Sequence, residues 1–206
     1  MRLPAVASSL RRVNPAIVGL VGLAPVQATA TGVLEGAWWA RYTPVEPGAL
    51  APAQARGFVI TRTWLRIAGD AAPVREAIDT PGKALSVKVG DVIEEHVQLV
   101  NPEDRTYVSV DLPFAAGLEP MNPRLATAPP EAKPAGEPTR APDFERIGDD
   151  RATWYFVKLP KGTYDLYLRT RVTLEGAYQQ PGARVEGMYQ PEIMGESPGA
   201  RVDVGR

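Results

Sequence analysis

The chain has 206 residues, with 23 basic against 24 acidic side chains and a formal net charge of −1, so nothing in its charge draws it toward nucleic acid. A hydrophobic content of 44% excludes a disordered chain, and a protein of this length buries about 70% of its unfolded surface, enough for one sizeable core. The complete lack of cysteine excludes disulfides, thiolate metal sites and cysteine nucleophiles, while 21 prolines and 19 glycines call for short elements and frequent turns, an all-β chain with little helix.

Residues 1–30 are patterned like a secretory signal. Arg2, Arg11 and Arg12 precede the apolar run from Ala16 to Ala24, which is shorter than a membrane span, and Ala28-Thr29-Ala30 offers a small-x-small cleavage site. Against that pattern, the arginines sit late and Asn14-Pro15 opens the run, which leaves a gene start inside a longer ancestral coding sequence as the alternative. Residues 31–55 hold Gly36-Ala-Trp-Trp-Ala-Arg-Tyr, followed by a proline- and alanine-rich linker from Pro44 to Gln54. The main domain is expected over residues 56–206.

Within that domain, alternation predicts the strands. Val59, Thr61, Thr63, Leu65 and Ile67 form one face of the first, with Trp64 on the other. Leu85, Val87 and Val89 are the inward set of a short strand, Gly90-Asp91 turns the chain, and Ile93, Val97 and Leu99 face the core in the next. Asn101 to Asp104 reads as a loop, after which Val108, Val110 and Leu112 repeat the inward pattern. Between Pro120 and Pro142 the composition shifts to Pro, Ala, Glu, Lys and Thr. Such a segment buries too little apolar surface to offset its ordering entropy and is expected to be an exposed, mobile loop, the first place a protease cuts. Trp154 and Phe156 then face opposite Tyr155, Val157 and Leu159. After the turn Pro160-Lys161-Gly162, Tyr164, Leu166, Leu168, Thr170 and Val172 alternate with Asp165, Tyr167, Arg169 and Arg171. These patterns predict an antiparallel β-sandwich of about seven to nine strands.

Side chains suited to chemistry are sparse. His96, the only histidine, shares the polar face of its strand with Glu94 and Gln98; one flat strand face does not converge on a metal ion, and a solvated histidine is expected. The carboxylate pairs Glu94-Glu95 and Asp149-Asp150 consist of sequence neighbours, which point to opposite faces of a strand and so form no ready-made acid–base dyad. No Gly-x-Gly-x-x-Gly or phosphate loop occurs. The sequence supports no catalytic residue, no metal and no cofactor. Met188-Tyr189, an adaptable thioether beside an amphipathic ring, is a candidate contact site; the alternative is a strand end at which one of the two is core.

Four motifs in order carry a family resemblance. They are Val87-Lys-Val-Gly-Asp-Val, Ala115-Ala-Gly-Leu-Glu-Pro-Met-Asn-Pro, Asp149-Asp150-Arg151 with the Leu-Pro-x-Gly-Thr-Tyr hairpin from Leu159, and Met188-Tyr-x-Pro-Glu-x-x-Gly-x-Ser. Together, over about Arg56 to Val204, they resemble the last, receptor-binding-like domain of bacterial alpha-2-macroglobulins, the protease traps of the cell envelope, although Phe114 and Ala115 replace the usual proline-led approach to the second motif.

The resemblance implies a non-catalytic domain that docks on other macroglobulin or thioester domains, in the same or a separate chain, and meets proteases only indirectly. It assigns the shielding of a thioester to Met188 and Tyr189, and a structural role to Asp149, Asp150 and Arg151, with a carboxylate accepting turn amides and the arginine pairing bidentately. A family thioester needs a cysteine paired with a glutamine, so this chain carries none of its own. The segment Gly36–Tyr42 is similar to the last strand of the preceding small domain, either folding on its own domain or docking on a missing neighbour. Periplasmic or cell-envelope localisation follows from the resemblance, with no nucleic acid and no small-molecule substrate. The rival from another class is a stand-alone secreted β-sandwich that binds carbohydrate or an envelope component, stacking on Trp38, Trp39, Trp64 and Trp154.

Overall fold

Hydrophobic alternation along short, turn-bounded segments becomes sheet wherever two such segments can share a core. A computed structural model describes residues 50–67, 74–77 and 84–206. The expected signal and the Gly36–Tyr42 strand, with Trp38 and Trp39, lie outside them. The described residues form fourteen strands: β1 (Gln54–Arg56), β2 (Val59–Ile67), β3 (Val74–Ala77), β4 (Ala84–Lys88), β5 (Val92–Asn101), β6 (Arg105–Pro113), β7 (Leu118–Met121), β8 (Phe144–Ile147), β9 (Arg151–Leu159), β10 (Gly162–Val172), β11 (Gly176–Gln180), β12 (Arg184–Gly187), β13 (Gln190–Glu196) and β14 (Ala200–Gly205). The chain is all-β, and the strands outnumber the seven to nine expected because several span only three to five residues, too few to show a period. No helix among the described residues is long and apolar enough to cross a membrane.

Three sheets result, in the orders β1-β13-β12-β6-β9-β8, β3-β2-β5-β10-β7 and β11-β14-β4. Every pairing is antiparallel except the parallel β4–β14. The inward residues of the two larger sheets, among them Val108, Val110, Leu112, Trp154 and Phe156 on one side and Ile60, Trp64, Ile93, Val97, Leu99, Leu166 and Leu168 on the other, belong to one buried cluster, which Leu85, Val87, Val202 and Val204 of the third sheet join. The turn geometry follows the sequence. Gly90 takes φ 94°, which a side chain resists, and Lys161 N–H, in the two-residue turn between β9 and β10, donates to Asp104 Oδ1 at 2.7 Å. The same turn is held from below by buried Asn101, whose Nδ2 donates to the carbonyls of Leu159 and Pro160, both at 2.9 Å.

The faces of β2 divide as the alternation indicates, and the buried one is that of Trp64, with Ile60 and Arg62, while Val59 is half exposed. Three expectations change. Val89 lies beyond β4 and is likewise exposed. The end of the expected linker is not free chain: Gln54–Arg56 pairs with Met194–Glu196 as the edge strand β1. Finally, the segment 120–142, expected to be an exposed, mobile loop, keeps most of its residues exposed but is fastened as a strap across β5 and β10 by hydrogen bonds to Glu94 and Asp165, with Ala132 buried.

The charged residue on the buried face of β2 has an electrostatic partner. Arg62 points into the core, where its Nε donates to Glu95 Oε2 at 2.7 Å and its terminal nitrogens donate to the carbonyls of Pro113 and Pro181, both at 3.0 Å. Both members of the pair are almost wholly excluded from water. Burial pushes the Glu95 carboxyl above its ordinary value and the Arg62 guanidinium below its own, and each shift is opposed by the attraction between them.

Candidate functional site

The hairpin from β12 to β13 presents the Met188-Tyr189 pair. Gly187 pairs with Gln190, so Met188 and Tyr189 are the two residues of the turn, and they stand out into solvent, with Tyr189 77% and Met188 45% exposed. Neither is a core residue. The ladder shifts register immediately behind the tip, because Glu186 pairs with Met194, which leaves Pro191, Glu192 and Ile193 as extra length in β13. The tip is nonetheless tethered. Met188 N–H donates to Tyr107 O at 2.8 Å, and the Tyr189 ring meets the Tyr107 ring edge-on, with centroids 5.2 Å apart and planes at 81°. Tyr107, which sequence reading did not single out, sits on β6 next to the tip.

Asp149 and Asp150 lie in the turn between β8 and β9. Gly148 N–H donates to Arg151 O and Phe114 N–H to Asp150 O, both at 2.9 Å, so it is backbone that closes this turn and ties it to the end of β6. Arg151 donates to the Asp150 carboxylate through Nε at 3.0 Å, one hydrogen bond between exposed neighbours in place of the bidentate pair expected. That hydrogen bond, with the arginine charge, holds the Asp150 carboxyl below its usual value.

The second cluster gathers under the strap. Glu94, expected on a wet face, is buried, and its carboxylate accepts Arg169 Nε at 2.8 Å, Ala135 N–H at 2.7 Å and Gly136 N–H at 3.2 Å. Arg169 Nη1 donates onward to Glu131 O at 2.9 Å. His96 is not a freely solvated side chain either. Its Nε2 lies 2.7 Å from Asp165 Oδ1, its Nδ1 3.3 Å from Thr63 Oγ1, and its ring stacks on Tyr167 at 4.5 Å. Although Thr63, His96 and Asp165 are linked in the order of a hydrolytic triad, Asp165 spends its acceptors on the strap and on Gln98, so the chain of bonds reads as a clamp. Thr139 Oγ1 donates to Asp165 Oδ2 at 3.1 Å, Thr139 N–H donates to Asp165 O, and Gln98 Nε2 donates to Asp165 Oδ1. Among the described residues, no three histidine, aspartate or glutamate side chains converge as a metal cage.

The clamp gives a pH prediction. Burial raises the Asp165 carboxyl, but the hydrogen bonds from His96, Gln98 and Thr139 outweigh it and hold the group below its ordinary value of 3.8. A folded value below the unfolded one means that the stabilisation is complete above the ordinary value and is lost as pH falls through the folded one. Amide exchange at Thr139 is therefore expected to accelerate, relative to the β5–β10 core, as pH drops below about 4. An Asp165→Asn variant should lose that acid-dependent step, and an equal step in both proteins would refute the assignment.

Trp64 and Trp154 are buried in the core, with Trp154 Nε1 donating to Glu145 Oε1 at 2.7 Å, so neither can be the stacking surface that carbohydrate binding requires.

Comparison with known proteins agrees with the geometry. The family described as the bacterial alpha-2-macroglobulin MG10 domain matches residues 57–192. A comparison with curated proteins finds no match. Among solved structures, Salmonella alpha-2-macroglobulin reacted with methylamine is 20% identical with a TM-score of 0.58, covering 78% of this chain and 10% of its own. The native conformation of Escherichia coli alpha-2-macroglobulin is 20% identical with a TM-score of 0.56, covering 80% and 10%. The Escherichia coli protein activated by porcine elastase is 19% identical with a TM-score of 0.59, covering 78% and 14%. The chain thus spans about a tenth of the length of the alpha-2-macroglobulins whose fold it shares. With two thirds of its length matched by that domain, the chain belongs to the bacterial alpha-2-macroglobulin family.

Proposed function

We propose that this chain is a non-catalytic part of an alpha-2-macroglobulin-type protease trap, and that its Met188-Tyr189 tip docks on a thioester-bearing or neighbouring macroglobulin domain, in the same or a separate polypeptide, to control that domain's conformation. The observation that carries the proposal is an exposed phenol on a two-residue turn, ordered before any partner arrives by the Tyr107 carbonyl and ring. Tyrosine and methionine are enriched at contact surfaces, and a side chain already ordered loses less freedom on docking. A phenol ring can cover an activated acyl bond while being a poor nucleophile at neutral pH, and a thioether fills irregular gaps beside it. The chain has no cysteine, so the reactive bond belongs to the partner. A trap of this kind works in the periplasm or cell envelope, and proteases meet this domain only through it.

The test adds the full chain to Escherichia coli alpha-2-macroglobulin lacking its matching domain and follows methylamine incorporation. Wild type is expected to slow incorporation. Tyr189→Ala should lose most of that protection, since truncating a central contact residue costs about 2 kcal/mol or more of binding. Its melting temperature should move by less than about 2 °C, because the ring is exposed. Undiminished incorporation with wild type, or full protection by Tyr189→Ala, rejects the reading.

A further inference from the structure

We infer that Tyr107 is the positioning residue that aims Tyr189 at its partner, an inference that rests on the docking role proposed for the Met188-Tyr189 tip. Among the described residues Tyr107 is the only non-glycine with positive φ, at 54°. The left-handed region is disfavoured for a residue with a Cβ, and such a conformation persists where the surroundings over-determine it.

Sheet pairing does not account for it. On one side the β6–β9 ladder keeps its register but skips the position, passing from Thr106 opposite Lys158 to Val108 opposite Phe156. On the other side the β6–β12 register ends at Val108 opposite Gly187, one residue short of the tip. The unusual backbone therefore coincides with the place where the ladder gives out and the hairpin must be held by other means. There the Tyr107 carbonyl receives Met188 N–H, and the Tyr107 ring supplies the edge contact to Tyr189.

The hairpin needs this support because its own closure is irregular. Pro191, Glu192 and Ile193 form the extra length in β13, and proline has no N–H to give the ladder. With Tyr189 77% exposed, its edge-to-face contact with Tyr107 is the ring contact that sets its direction. Tyr107 is itself 45% exposed beside the tip, so a partner seated on Tyr189 would also rest on its ring.

The test compares Tyr107→Gly, which accepts the positive φ and keeps the carbonyl while removing the ring, with Tyr107→Phe, which keeps the ring. Tyr107→Asn, also tolerant of this region, stands in if the glycine variant folds poorly. In the full chain, NMR order parameters of the Tyr189 ring are expected to fall from rigid to flexible values in Tyr107→Gly, while Tyr107→Phe stays at the wild-type level. In the methylamine assay, Tyr107→Gly should protect about two- to tenfold less than wild type, the scale set by ordering one side chain. A Tyr189 ring as ordered in Tyr107→Gly as in wild type, or mobile in Tyr107→Phe, overturns the inference. If Tyr189→Ala leaves protection intact, the docking reading fails, and ring order in the free chain still decides the positioning role. If Tyr189→Ala abolishes protection but Tyr107→Gly does not alter it, the docking reading stands and the inference falls.

Discussion

Replacing Arg62 by methionine is expected to destabilise the domain by about 3–5 kcal/mol, because it leaves the Glu95 carboxylate in the core without its counter-charge. Against a typical total stability of about 5–15 kcal/mol, that loss would bring many domains close to unfolding at ambient temperature. Arg62 also donates to the carbonyls of Pro113 and Pro181, and so links the sheet holding β2 to the end of β6 and to the loop that follows β11. Gln180, which is buried, donates to the same Pro113 carbonyl, so Pro113 keeps a donor when the arginine goes while Pro181 loses the one Arg62 supplies. The double variant Arg62→Met/Glu95→Leu should therefore recover most of the loss, leaving a deficit of about 1 kcal/mol for the orphaned carbonyl. Chemical denaturation of the two variants decides the matter. A single substitution that costs less than about 1 kcal/mol, or a double variant no better than the single one, would show that the pair is not the electrostatic keystone of this core.

The same pair explains where the sequence could be read and where it could not. β10 and β6 were legible because each buries one alternating set, apolar but for Thr170, from Tyr164 to Val172 and from Val108 to Leu112. For β2 the alternation separated two faces without saying which is core, because a buried arginine looks like a surface residue until its partner is known, and Glu95 lies 33 positions away. In the strap, composition says only that the side chains cannot form a core; it is silent on backbone amides, which are what Glu94 binds. The one legible hint was positional: Glu94 and Arg169, opposite charges on the polar faces of β5 and β10, turn out to be direct cross-strand partners. The tip residues Met188 and Tyr189 were found through a motif, whereas Tyr107 carried no sequence signal, since nothing in a lone tyrosine announces a positive φ.

Glu94→Ala is expected to release the strap and open it to proteolysis. Glu94 is the point at which three donors converge, one from Arg169 on the sheet and two from the backbone at Ala135 and Gly136 on the strap. Removing the carboxylate leaves Arg169 buried and unpaired, a situation that costs about 3–5 kcal/mol when no relaxation is possible. Relaxation is possible here, because lifting the strap hydrates the guanidinium. The penalty to the rest of the fold is therefore capped at the free energy that holds the strap down, and the loss should appear locally before it appears globally. Gly136 sharpens the expectation, since any Cβ there would lie 2.3 Å from the Tyr167 ring, so the strap cannot settle one residue out of register to recover its contacts. Trypsin should cut wild type slowly at Lys133 and Arg140, and about a hundredfold faster in Glu94→Ala, the factor that corresponds to roughly 3 kcal/mol of lost closure when opening is fast relative to cleavage. The denaturation midpoint should fall by less than it does for Arg62→Met, whose stranded partner has no route to solvent short of unfolding. Unchanged cleavage in Glu94→Ala, or first cuts at Arg66 or Arg169 within the sheet, would mean that something other than Glu94 fastens the strap.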